Sequence, residues 1–382
     1  MNQTAVADFS AKQSRASKPL RQFLRRHPAL WMAVVLWIGS NLFVQMIAEM
    51  GSWEGQAHYT GIADLCRWDC VWYGSVVEHG YNVEPNPDAK ANWPFHPAFP
   101  ISVYPFFRWL KLPLPVAEVV ASKLALLLAI YSFLLLLGDT ADSHAESLFA
   151  GSLVAFNPYI IYAHAGYAEP LYFAVLSLAF YFLAQKKWVA SGVAGALASL
   201  SRVIGFLFSI SYAVAWLRDS HGRPAWRDSK RLVGFLLCPL GTALFMLYLY
   251  HHTGDALAQV HVEAAWNKAV GNPLTVLREA LGVPHWPRVW AAMTLLSFAA
   301  SIYLFLLRKT ELAIYLALSV TLSVSGGYLS VARYIWWQPP FLCAIYYFLK
   351  RYAAWRPLYL AFAAALAAFM ILSWFGGNNF VV

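Results

Sequence analysis

The chain has 382 residues, 60% of them hydrophobic and 12% charged, with a mean hydropathy of +0.50. Soluble domains average about 45–50% apolar and about 25% charged, so composition excludes a soluble enzyme and indicates an integral membrane protein. The net charge of +9 sits in segments abutting apolar runs, which is the positive-inside pattern rather than a nucleic-acid footprint, and no nucleic-acid partner is expected.

The first element, residues 1–28, is a basic tail: Lys12, Arg15, Lys18, Arg21, Arg25 and Arg26 stand against Asp8 alone. It precedes the apolar run Ala29–Ala48, whose ~20 residues suit a spanning helix rather than the shorter core of a cleaved signal. The tail is therefore expected in the cytoplasm. The segment 49–113 reads as a long loop on the opposite side, rich in acids at its start and containing Cys66 and Cys70. Those two cysteines either bridge on an oxidising face or are two small residues on one helical face. With no CxxC and no histidine pair at ligand spacing, no metal is expected.

From residue 114 onward the apolar runs predict an all-α, polytopic bundle. Residues 29–382 read as one multi-pass domain of about eleven spans: 29–48, 114–137, 147–164, 167–184, 188–201, 203–217, 231–250, 288–307, 312–328, 334–349 and 357–374. The basic segments Lys186–Lys187, Arg218–Arg231, Arg308–Lys309 and Lys350–Arg356 all fall inside under this arrangement. Segments 49–113 and 251–287 fall outside. No internal repeat is evident, so the inverted halves common in transporters are not expected.

Ionisable residues within or at the edge of a bilayer are costly and point to function. Asp69 lies in "RWDCVWYGSVVEHGY", Glu169 in "AGYAEPLYF", Arg202 in "SRVIG" and Arg333 in "SVARYIWW"; Asp255 and Trp266 lie in "GDALAQVHVEAAW". The topology, built from other residues, puts all of them on the outer side. Two arginines suit a phosphate through bidentate, charge-assisted bonds, and a carboxylate suits a general base. Plainer readings stand beside these: Asp69 pairing with Arg67 or capping a helix, a structural Glu169–Arg202 pair, a snorkelling Arg333, and an ordinary turn at Gly254–Asp255.

Taken in order, these segments resemble the GPI mannosyltransferase II (PIG-V-like) family. "RWDCVWYGSVVEHGY" is similar to its Arg-Trp-Asp…Gly-Tyr signature and "FHPAFPISVYP" to its Phe-Pro-Leu-Tyr-Pro segment. "FNPYIIYAHAGYAEPLYFAVLSL" resembles its Asn-Pro…Ser-Glu-Ser block, "SRVIG" its Thr-Arg-x-x-Gly, and "GDALAQVHVEAAW" its Gly-Asp-Pro…Gln…Trp loop. The flanks of Glu169 depart from it, with Ala168 and Pro170 where the family prefers Ser, and His96 and Ala98 interrupt the proline segment. The resemblance implies a GT-C glycosyltransferase, here a prokaryotic relative, with a polyprenyl-phosphate sugar as donor and a catalytic Asp at Asp69.

The expected reaction is inverting transfer of a single sugar, mannose by the resemblance, to a hydroxyl of a glycolipid, glycan or protein on the extracytoplasmic side. The enzyme would sit in a bacterial plasma membrane, or in the endoplasmic reticulum membrane of a eukaryote. Substrate contacts are expected from Arg67, Trp68, Glu169, Arg202, Asp255, Trp266 and Arg333, with no metal cofactor. Two other classes fit the composition: a secondary transporter, and a membrane glycan polymerase or ligase.

Overall fold

The computed structural model describes residues 28–53, 59–221, 228–266, 268 and 270–377; the basic tail before Pro28 and part of the Arg218–Arg231 segment lie outside the described residues. Among the described residues every regular element is helical. In chain order the helices are α1 (Pro28–Trp53), α2 (Asp69–His79), α3 (Ala98–Tyr104), α4 (Leu114–Leu137), α5 (His144–Ala155), α6 (Glu169–Ala184), α7 (Trp188–Ser201) and α8 (Phe208–Asp219). Then come α9 (Ser229–Leu237), α10 (Leu240–Thr253), α11 (Ala258–His261), α12 (Pro273–Gly282), α13 (Trp286–Leu306), α14 (Thr310–Ser325), α15 (Val331–Trp336), α16 (Pro339–Arg351) and α17 (Arg356–Phe375).

Among the described residues four helical segments are long and apolar enough to cross a membrane: Pro28–Ser52, Leu114–Leu137, Trp286–Leu306 and Ala353–Phe375. The pair α9–α10 is apolar enough only when taken together, and it is bent by 47° at its break. Large apolar side chains on these segments face outward, with Leu42, Ile302, Phe305, Leu306, Leu358 and Phe362 all more than half exposed. Such surfaces are tolerated where lipid covers them, and the chain is built as an integral membrane protein.

Several of the eleven expected spans are broken rather than continuous. The run 147–164 ends as a helix at Ala155, because Asn157–Pro158 interrupts it, and resumes as a 3₁₀ turn over Ile160–Ala163. The run 203–217 opens as a 3₁₀ turn, Val203–Leu207, before α8, and Pro239 separates α9 from α10. The run 334–349 is split at Gln338 ahead of Pro339. Proline cannot donate the helical hydrogen bond, and a displaced backbone is admissible at membrane depth only where protein covers it.

α4 packs on α6 and α1, α6 on α7, and α13 on α14, and α17 closes the bundle against α1. α7 and α9 meet backbone to backbone: a Cβ on Gly192 would lie 2.3 Å from the Gly234 carbonyl oxygen. Small residues at such crossings let helices approach where no hydrophobic force acts between them.

Ion pairs gather at two ends of these helices. At one end, Arg356 pairs with Glu146 at 2.7 Å, Arg218 with Glu311 at 2.6 Å, and Asp219 with Arg231 at 2.6 Å and with Lys186. These contacts gather the basic connections into one belt. The other ends of α6, α7 and α14 carry Glu169, Arg202 and the residues around Ser325.

Candidate functional site

The segment Ile62–Asp69 is tied down before it reaches the site. Arg67 donates through Nη1 to the Trp374 and Phe375 carbonyls at 3.1 and 3.2 Å and through Nε to the Asp64 carbonyl at 3.2 Å. Cys66 and Cys70 form a disulfide that spans the Arg67–Trp68–Asp69 triplet. The buried Tyr167 hydroxyl donates to the Arg67 carbonyl and accepts from the Asp69 amide, both at 3.2 Å. Trp68 adopts a φ of 51°, a region that side-chain-bearing residues avoid. Its ring packs edge-on against Trp374 at 4.4 Å. Strained backbone next to an ordered acid is held in place only by surroundings that over-determine it.

α15 supplies the partner. Arg333 Nη1 donates to Asp69 Oδ2 at 2.9 Å, and Arg333 Nε lies 3.2 Å from Glu169 Oε1. Arg202 Nη1 lies 2.9 Å from that same oxygen. The chain Asp69–Arg333–Glu169–Arg202 thus links four segments far apart in sequence. Burial grades along it: the Arg333 and Glu169 side chains are 3% and 2% exposed, Arg202 17% and Asp69 24%. The inner pair is enclosed and the outer pair opens to the cavity.

Local sequence explains each placement. Ser330, with φ 65°, turns the chain into α15. Asn157 Nδ2 donates to the Trp336 carbonyl at 2.9 Å and Trp337 Nε1 to the Tyr159 carbonyl at 3.1 Å, so the Asn157–Pro158 break is what clasps α15 in position. Arg202 lies between α7 and the following 3₁₀ turn, where the Gly205 amide donates back to its carbonyl at 2.9 Å. A Cβ at Gly205 would stand 2.4 Å from the Ala198 carbonyl group, so the spacing Arg-x-x-Gly follows from the need to fold that turn onto the end of α7.

A cavity of about 260 Å³ opens over the chain of charges. Asp69, Arg202, Trp266, Lys268 and Tyr334 line it, together with Glu263, His96 and Gln259. Lys268 Nζ donates to the Tyr334 hydroxyl at 3.4 Å, Arg333 Nη2 donates to the same hydroxyl at 3.2 Å, and the Arg202 guanidinium lies 4.3 Å over the Tyr334 ring. Trp266, Phe95 and Tyr73 give the cavity an aromatic wall, and Trp72 backs Trp266 edge-on at 5.5 Å. Burial raises the Glu263 carboxyl above its ordinary value, and it holds His96 down to about 4, so that ring is neutral.

The structure brings Asp69, Glu169, Arg202, Arg333 and Trp266 to one place. Arg67 and Trp68 are adjacent but face the end of α17, as supports of the Asp69 segment. Asp255 is elsewhere: its carboxylate accepts from His261 Nδ1 at 2.7 Å and from the Leu257 amide at 2.8 Å, closing a turn after Gly254 in the left-handed conformation. Lys268, Tyr334, Tyr167 and Asn157 were not singled out from the sequence. Asn157 and Tyr167 lie within a sequence motif and Lys268 and Tyr334 beside a motif residue, but their roles depend on contacts across 66 to 179 positions.

Among the described residues one group of potential metal-ligating side chains lies close together: Cys66, Cys70 and Glu118. The two sulfurs are bonded to each other, so this set does not offer thiolate ligands.

No family model matches the sequence, and no curated protein does. Among solved structures the chain is similar to ArnT from Cupriavidus metallidurans, described as bound to undecaprenyl phosphate, with 12% identity and a TM-score of 0.43. The alignment covers 91% of this chain and 60% of ArnT.

Proposed function

We propose that the chain is a GT-C-type glycosyltransferase. On this reading it moves one sugar, mannose by the sequence resemblance, from a polyprenyl-phosphate donor to an acceptor hydroxyl on the extracytoplasmic side of a bacterial plasma membrane. The observation that carries the reading is Asp69 at the wall of a cavity that Arg202 and Lys268 also line, with Arg333 fixing the carboxylate from behind.

The roles follow from position. The acceptor oxygen attacks the anomeric carbon and gives its proton to the Asp69 carboxylate. The bond from that carbon to the phosphate oxygen breaks with inversion, through an oxocarbenium-like transition state. Polyprenyl phosphate leaves as negative charge grows on it, and Arg202 and Lys268 are the cations that face it. Arg333 does not line the cavity; it orients Asp69 through the 2.9 Å hydrogen bond. Trp266 and Phe95, which line the cavity, offer apolar faces for a sugar ring. A lipid-borne donor accounts for a catalytic cavity set among apolar helices, because the donor's tail stays in the bilayer.

The test uses the purified full chain in liposomes, with radiolabelled polyprenyl-phosphate mannose and a membrane-extract acceptor. Label should pass from donor to acceptor, and Asp69→Asn should reduce transfer by about 10²–10⁴ with the melting temperature kept, because Arg333 still has Glu169. Uptake of free sugar into liposomes without donor lipid would establish a transporter instead.

A further inference from the structure

A second cavity, about 470 Å³, lies at the far end of α6, α7 and α14 from the Asp69 site. It is lined by Leu183 and Ala184 at the end of α6, Trp188 at the start of α7 and Leu312 at the start of α14. Helices of 14 to 16 residues set the two cavities roughly 20 Å apart along their axes. Neither the transfer chemistry nor the positioning of Asp69 draws on it.

Its lining is amphiphilic. The floor is apolar, from Leu136, Phe180, Leu183 and Leu312, and the rim carries Lys186, Arg218, Arg308 and Lys309. Two carboxylates, Asp219 and Glu311, also line it, but both are already engaged: Asp219 by Lys186 and Arg231, Glu311 by Arg218. Among the described residues no carboxylate is ion-paired with Arg308 or Lys309, while Lys309 Nζ lies 5.5 Å over the Tyr347 ring. The positive charge of the rim is therefore in surplus. The approach to it is apolar as well: Leu306 and Leu307, directly before Arg308, are 72% and 37% exposed.

We propose that this cavity is a binding site for an anionic glycerophospholipid, its phosphodiester against Arg308 and Lys309 and its acyl chains leaving past Leu306. A free phosphate ester would use the cations but not the apolar floor or the open apolar flank. A neutral lipid would use the flank but not the cations. The basic connections gather at this end, which is where anionic headgroups of the cytoplasmic leaflet are met.

Native mass spectrometry of the detergent-purified full chain, titrated with phosphatidylglycerol or phosphatidylcholine, tests it. The wild-type chain should retain phosphatidylglycerol preferentially. The double variant Arg308→Gln/Lys309→Gln should lose about 30-fold in affinity, as expected for two interactions of about 1 kcal/mol each, with phosphatidylcholine retention unchanged. Both positions are at the connection between helices, and an unaltered melting temperature of the lipid-free variant shows that it folds. Equal retention of both lipids by the wild type, or undiminished phosphatidylglycerol binding by the variant, overturns the proposal. Displacement of the lipid by millimolar inorganic phosphate overturns it too, because the acyl chains would then contribute nothing.

Discussion

Arg333 and Asp69, 264 positions apart, are joined by a 2.9 Å hydrogen bond between a guanidinium that is 3% exposed and a carboxylate that is 24% exposed. The difference in exposure matters more than the distance. The cation is committed to the interior and to two acids at once, while the acid keeps an open side. An arginine used this way organises the site, and Arg202 and Lys268 are cations that line the cavity where Arg333 does not.

Removing Arg333 should therefore be a stability lesion before it is a kinetic one. Arg333→Met leaves Glu169 buried beside Arg202 alone and Asp69 without its anchor. Breaking a buried pair costs about 3–5 kcal/mol, so the melting temperature in detergent should fall sharply. Adding Glu169→Gln to Arg333→Met should recover part of that loss, while transfer stays low. Independent, additive effects on melting temperature would contradict the coupling.

Lys268 and Arg202 separate binding from support. Lys268→Gln removes a cavity cation that carries no carboxylate of the inner chain, and transfer should drop by roughly 10² with little change in melting temperature. Arg202→Lys should lower both, because a point charge cannot replace the planar fork that reaches Glu169 while stacking on Tyr334. Equal kinetic and thermal effects in the two variants would remove the distinction.

The Cys66–Cys70 bridge brackets the Arg67–Asp69 triplet, so its loss should act on Asp69. Closing so short a loop is worth about 2 kcal/mol in the chain-entropy account. Dithiothreitol treatment, or Cys66→Ala with Cys70→Ala, should lower transfer several-fold and lower the melting temperature modestly. Full transfer by the reduced protein would show that Tyr167 and Arg67 suffice to hold the segment.

His96 should make the fold acid-labile. Burial holds its folded value down to about 4 against an ordinary 6.5. The unfolded chain then binds the proton first, and stability falls as pH drops from about 6.5 to about 4, by about 3 kcal/mol in full. The ring's contribution is unimpaired above 6.5. Melting temperatures across that window should slope for the wild-type chain and flatten for His96→Gln. A matching slope in the variant would place the titration elsewhere.

The sequence by itself determined the solvent. A chain that is 60% apolar and 12% charged must satisfy its backbone internally and can spend ionisable groups only sparingly, so it reads as a helical membrane protein whose few internal charges matter. It also gave the order of the motifs and the separation of basic connections from inner acids. Hydropathy could not show where spans break, because a proline break at 158, 239 or 339 costs nothing in apolar content; it costs hydrogen bonds, and only packing shows who replaces them. Nor could sequence show that Asp69 lines the cavity while Asp255, expected to contact substrate, closes a turn with His261. Both are acids in segments between apolar runs, beside a small motif. Only the tertiary structure shows these surroundings, since a carboxylate's contacts depend on which groups chain folding brings within about 3 Å of it, and for Asp69 the guanidinium comes from 264 positions away.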